Sequence, residues 1–149
     1  MTASSPGRNS APAPRETPGP GGIVELSIPV EADLLVLVRL AASTVASRSS
    51  FDIEEIEDLR LAVDELCLLV LDGRRSGRLH LRFEGTADQI EVTCHHEGGD
   101  AVPVRDVDED PMGELSARIL DALVDEHGPV VRDGWRGARL CKRRDARTA

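Results

Sequence analysis

Aromatic side chains are nearly absent from this chain: it has no tyrosine, two phenylalanines and one tryptophan. Any core must therefore be built from Leu, Val, Ile and Ala, and the 40% hydrophobic content is enough to build one. Long apolar runs are missing too. None approaches the ~20 residues needed to cross a bilayer, and no hydrophobic stretch follows the N-terminal charges, so neither a membrane span nor a secretory signal is expected. Cysteine is scarce, and Cys67, Cys94 and Cys141 form no CxxC pair, which argues against zinc or thiol-redox frameworks. Each falls on an apolar beat of its segment and reads as a small hydrophobe. Basic residues are outnumbered, 18 Lys and Arg against 27 Asp and Glu, for a net charge of −9. That balance argues against nucleic acid as a partner and favours a basic protein. The cytoplasm is the expected compartment.

What is present falls into blocks. Residues 1–22 carry most of the prolines and no large apolar residue except Met1, so they read as a disordered tail. Composition changes at Ile23. Ile23 to Val30 reads as a strand, and Glu31 to Ser47 as a helix with Leu34, Leu37, Val38, Ala41 and Val45 at helical spacing. Next comes FDIEEIEDLRLAVDELCLLVL, residues 51–71. Asp52 can cap its first turn, Glu55 can reach back, and Phe51 can pack on Ile56. Ile56, Leu59, Val63, Leu66 and Val70 form one core-facing stripe, and Asp72-Gly73 marks the stop. Arg78 to Gly85 and Ile90 to Cys94 alternate as a β-hairpin with one buried face. An acidic connection, Glu97 to Gly113, carries the run Asp106 to Asp110 and reads as a solvated lid. Pro111 suits the first turn of a third helix, with Leu115, Ile119, Ala122 and Leu123 as its stripe and Gly128-Pro129 as its end. Val130–Arg132 and Ala138–Arg143 make a last hairpin around Asp133-Gly134, before a frayed tail at 145–149. The order β-α-α-β-β-α-β-β predicts an α+β fold for a domain over 23–144: a two-layer sandwich, one mostly antiparallel sheet covered on one face by three helices.

One acid stands out. Glu65 points away from the stripe of its helix, with Leu61 and Leu69 one turn to either side. A helix that only covered a core would present charge there, so this face is expected to be shielded, with Glu65 at a pocket. The triplet Cys94-His95-His96 offers soft ligands, but neighbours on a strand point to opposite faces. Without distant partners it reads as edge-strand sequence, and no metal site is expected.

DIEEIEDLRLAVDELC resembles the signature helix of the bacterial anti-sigma-factor kinases of the RsbW and SpoIIAB type, members of the histidine-kinase-like ATPase superfamily. Asp58, Leu59, Ala62, Val63, Glu65 and Cys67 fit the family pattern. The resemblance continues in order over roughly Ile23 to Arg144, and this helix is its specific part. It implies a two-layer ATPase sandwich, ATP and magnesium as cofactors, and Glu65 as general base on a substrate serine. It also implies a sigma factor as target, an anti-anti-sigma (STAS-type) protein as antagonist, a homodimer, and a role in stress-response transcription. Three positions depart from the pattern. Leu69 stands where the family has its magnesium-coordinating Asn, and it has no oxygen to offer. In His96-Glu97-Gly98-Gly99, Gly98 is kept but His96 replaces the acid that accepts from the adenine amino group. In Met112-Gly113-Glu114-Leu115, Gly113 is kept but Glu114 opposes phosphate. The expected function is an anti-sigma factor with weak or absent ATP binding. The alternative is an active serine kinase acting on the antagonist.

Overall fold

In the computed structural model, residues 22–100 and 111–145 are described, with the side chains of 111 and 112 excepted. The expected tail, apart from Gly22, lies outside the described residues, as do the acidic run and residues 146–149. Gly22 itself already belongs to the first strand.

The elements are β1 (Gly22–Pro29), a 3-10 turn (Ala32–Leu34), α1 (Leu35–Arg48), α2 (Ile53–Leu71), β2 (Arg78–Gly85), β3 (Gln89–Glu97), α3 (Pro111–Leu123), β4 (Glu126–Arg132) and β5 (Trp135–Arg143). The five strands form one antiparallel sheet in the order β1-β2-β3-β5-β4. Three helices and an antiparallel sheet are the expected α+β architecture. β3 lies at the centre of the sheet, so the triplet at residues 94–96 is not edge sequence.

α2 begins as its sequence dictates. The Asp52 side chain accepts from the Glu55 backbone N–H at 2.8 Å, and Glu55 accepts from the Asp52 N–H at 3.0 Å, the two halves of a capping box. The helix ends at Asp72, whose left-handed φ of 45° leads into Gly73 at φ 80°. Leu59, Val63 and Leu66 have no solvent exposure, with Ala62 and Cys67 filling beside them. They meet Leu79, Phe83, Ile90, Val92 and Leu140 from the sheet, which are likewise fully buried. α1 contributes Val38, Ala42, Val45 and Ala46, a stripe turned slightly from the expected one, and Leu37 is 40% exposed. Across the helix layer, Arg39 forks onto Asp64 at 2.7 and 2.9 Å, joining α1 to α2.

The third helix is shorter than expected, and β4 is longer. α3 stops at Leu123, because the following chain is captured by β5: the Asp125 N–H donates to the Cys141 carbonyl at 3.0 Å, and its carboxylate accepts from the Arg143 N–H at 2.6 Å. Gly128 and Pro129 are therefore strand residues. Proline is tolerated there because β4 is an edge strand. The closing hairpin turns on Asp133 and Gly134, with φ of 46° and 81°, the pair of left-handed residues that a two-residue type I′ turn demands. That tight turn also starts β5 three residues earlier than expected, at Trp135.

The cap makes a prediction. Asp52→Ala should lower the unfolding free energy by about 1 kcal/mol. In urea titrations this should appear as a shifted midpoint with an unchanged slope.

Candidate functional site

A cavity of about 1180 Å³ opens where the C-terminal end of α2 faces the ends of β3 and the β4–β5 hairpin. Leu69 and Val70 come from α2, and Ala117 from α3. His96 and Gly98 come from the end of β3, and Trp135 and Arg136 from the hairpin. Three positions singled out in the sequence thus line one cavity: Leu69, His96 and Gly98. Glu65 and Gly113 are placed elsewhere.

Glu65 lies on the seam between α2 and α3. It is half-buried and accepts a hydrogen bond from the Ser116 hydroxyl at 3.1 Å, and Ser116 is itself buried. The expected shield is therefore only partly present: α3 covers Glu65, but Leu61, one turn away, is 54% exposed. Sequence reasoning could not find Ser116, which is 51 residues from its partner.

Leu69 is packed against the core and turns hydrocarbon to the cavity. His96 is committed to the scaffold. Its Nε2 lies 2.7 Å from the Ser76 carbonyl oxygen, which can only accept, so His96 donates there. The Ser76 hydroxyl in turn accepts from the Asp100 N–H at 2.8 Å. The loop after α2 is thereby clasped to the turn after β3. Glycine is required on both sides of the clasp: at Gly77 (φ 93°) a Cβ would sit 2.6 Å from the Glu97 carbonyl oxygen, and at Gly99 (φ 82°) 2.6 Å from the Ser76 carbonyl oxygen. Gly113 and Glu114 lie in the first turn of α3, with Glu114 exposed where the helix dipole favours an anion.

At the three positions where the resemblance places contacts to magnesium-ATP, these residues offer a different chemistry from the family's. A hard divalent cation needs oxygen ligands, and Leu69 has none. The family's acid accepts from the purine amino group through a carboxylate, whereas His96 has none and commits its Nε2–H to Ser76. A polyphosphate at the start of α3 would meet the Glu114 carboxylate.

The thiols contribute no reactive group. All three cysteines are free and buried. The Cys94 thiol is pushed well up, first by its hydrogen bond with Cys67 and then by burial, and burial raises the Cys141 thiol. His95 on β3 is shifted down from 6.5, first by burial and next by the charge of His80, with Glu97 opposing.

A model of the histidine kinase-like ATPase domain matches residues 28–140. The chain is 29% identical over 119 residues to the serine-protein kinase RsbW of Bacillus subtilis (strain 168), covering 69% of this chain and 74% of that protein. It is 31% identical over 123 residues to the serine-protein kinase RsbW of Bacillus pumilus (strain SAFR-032), covering 70% and 75%.

His95 gives a measurable outcome. Its imidazole should titrate below 6.5 by NMR, moving up in His80→Ala and further down in Glu97→Gln. A histidine whose folded value is depressed stabilises the fold fully above its unfolded value. This contribution is lost as the pH falls from 6.5 through the lowered value, because the unfolded chain then binds more protons. Acid unfolding scans of natural protein and His95→Gln should differ within that window.

Proposed function

Since this chain belongs to the histidine kinase-like ATPase family, in its RsbW-type serine-protein kinase branch, we propose that it acts as an anti-sigma factor that holds its sigma factor without efficient phosphoryl transfer. The observation that carries this reading is Leu69 in the cavity wall, an apolar side chain where the family's magnesium ligand belongs. His96 and Glu114 support it from two other directions, one as a donor already bonded, the other as a charge that repels phosphate. Leu69 and His96 line one cavity and Glu114 stands apart at the start of α3, and the three changes together make nucleotide binding weak or absent.

In this function the chain works as a competitive binding surface. The sigma factor is a basic partner for a protein of net charge −9, and long-range attraction raises the rate of encounter more than it slows departure. An anti-anti-sigma protein of the STAS type releases the sigma factor by competing for the chain. The working form is a homodimer in the cytoplasm.

A second reading, an active protein serine kinase, has one observation in its favour. Glu65 is retained, and a half-buried carboxylate held by a hydroxyl is a group that could take a proton from a substrate serine. That serine would have to displace or approach past Ser116.

Two outcomes test the proposal. The sigma factor should bind in the absence of nucleotide, with an association rate that falls as salt is raised; a rate indifferent to salt would remove the electrostatic part. With labelled ATP and magnesium, the natural protein should leave the antagonist unlabelled, and Leu69→Asn should gain some magnesium-dependent nucleotide binding by calorimetry where His96 and Glu114 are not limiting. Ready transfer by the natural protein, abolished in Glu65→Ala, would make the chain a kinase.

A further inference from the structure

The face of the sheet turned away from the helices carries a second cluster, which shares His95, Glu97 and Trp135 with the lining of the cavity. His80 on β2 and His95 on β3 are direct cross-strand partners, and their rings stack at 4.7 Å between centroids, 16° from parallel. Trp135, from the start of β5, stacks on His95 at 4.1 Å and 12°. Glu97, two residues along β3 on the same face, brings a carboxylate oxygen to 2.8 Å from His80 Nε2. That approach lacks hydrogen-bond geometry, so His80 Nε2 is a buried nitrogen without a hydrogen-bond partner among the described residues. The donor atoms of His80, His95 and Glu97 all lie within 4.8 Å of one another.

We propose that His80, His95 and Glu97 bind a divalent transition-metal ion of the zinc class, with three protein ligands and an open fourth position. The donor set is the right one, since two imidazoles and a carboxylate suit zinc and its borderline-soft neighbours. Two of the three donors are cross-strand neighbours on a rigid sheet, so the site is set by strand register. A tetrahedral site with metal–donor bonds of about 2.1 Å spaces its donors about 3.4 Å apart, so no pair need close by more than about 1.4 Å, while Glu97 must back away slightly from His80 Nε2. Glu97 is 72% exposed and has room to swing, while the two imidazoles are half-buried. The surrounding cations do not compete for the carboxylate. Arg78 donates to Ser27, Arg82 is turned to Glu84, and Arg132 and Arg139 are held by Glu91. Gly137, opposite His95 on β5, leaves the space: a Cβ there would collide with the Cys94 carbonyl and crowd the His95 Cβ.

The chain's one tryptophan reports on the site directly. Tag-free full-length protein should be titrated with Zn²⁺ by calorimetry and with Cu²⁺ by Trp135 fluorescence. The expected result is one equivalent of Zn²⁺ and saturable quenching by Cu²⁺ that Zn²⁺ reverses. His80→Asn should weaken binding by about tenfold or more, the least that loss of a direct ligand should cost, and Glu97→Gln, at an exposed side chain whose change leaves the fold intact, should also weaken it. His127→Ala, at a histidine on β4 that is paired with Asp121 and is not one of the three donors, should leave it unchanged. Absence of saturable Zn²⁺ binding, or affinity unaltered in both His80→Asn and Glu97→Gln, would overturn the proposal.

Discussion

Burial of the α2 stripe against the middle of the sheet is the constraint from which the other placements follow. Leu59, Val63 and Leu66 are completely covered, and their sheet partners on β2, β3 and β5 are covered in turn. With almost no aromatic side chains available, each of these aliphatic contacts counts, since fully burying one such side chain contributes roughly 1.5–3 kcal/mol. Fixing that face fixes the rest of the helix by its 100° turn per residue. Leu69 must then face the cavity at the end of the sheet, and Glu65 must face α3.

The same geometry sets the three positions that depart from the family pattern on three different elements. Leu69 is set by the helix, His96 by the end of β3, and Glu114 by the first turn of α3. Each has been absorbed into ordinary structure. Leu69 joins the core, His96 secures the loop after α2, and Glu114 complements a helix dipole. A reversal at one position would leave the other two in place. The retained acid is differently situated, because Glu65 keeps a polar partner in Ser116 and remains half-buried.

Much of this was legible in the sequence where interactions are local. The capping box at Asp52 and Glu55, the alternating strands and the Asp133-Gly134 turn depend on residues only a few positions apart, and they stand as expected. The end of α3 was misplaced because Gly128-Pro129 is a strong local stop signal, whereas the real terminator is tertiary: β5 takes the Asp125 N–H and carboxylate. The Glu65–Ser116 contact, across 51 residues, has no local signature. The histidine pair was within reach. Counting outward from the turn that joins β2 to β3 puts His80 opposite His95, and alternation then puts Glu97 on their face. The contiguous triplet Cys94-His95-His96 does not contain the partner, which stands across the strand at His80.

Pro129 has a consequence for how copies of this chain can meet. A strand that lacks an N–H in its middle is a poor template for a further strand, so the β4 edge resists extension. β1, at the opposite edge, carries no proline before its last residue, Pro29. Association through sheet edges is thus one-sided. An edge interrupted in this way disfavours strand-by-strand growth towards a fibre, because each addition would need both edges.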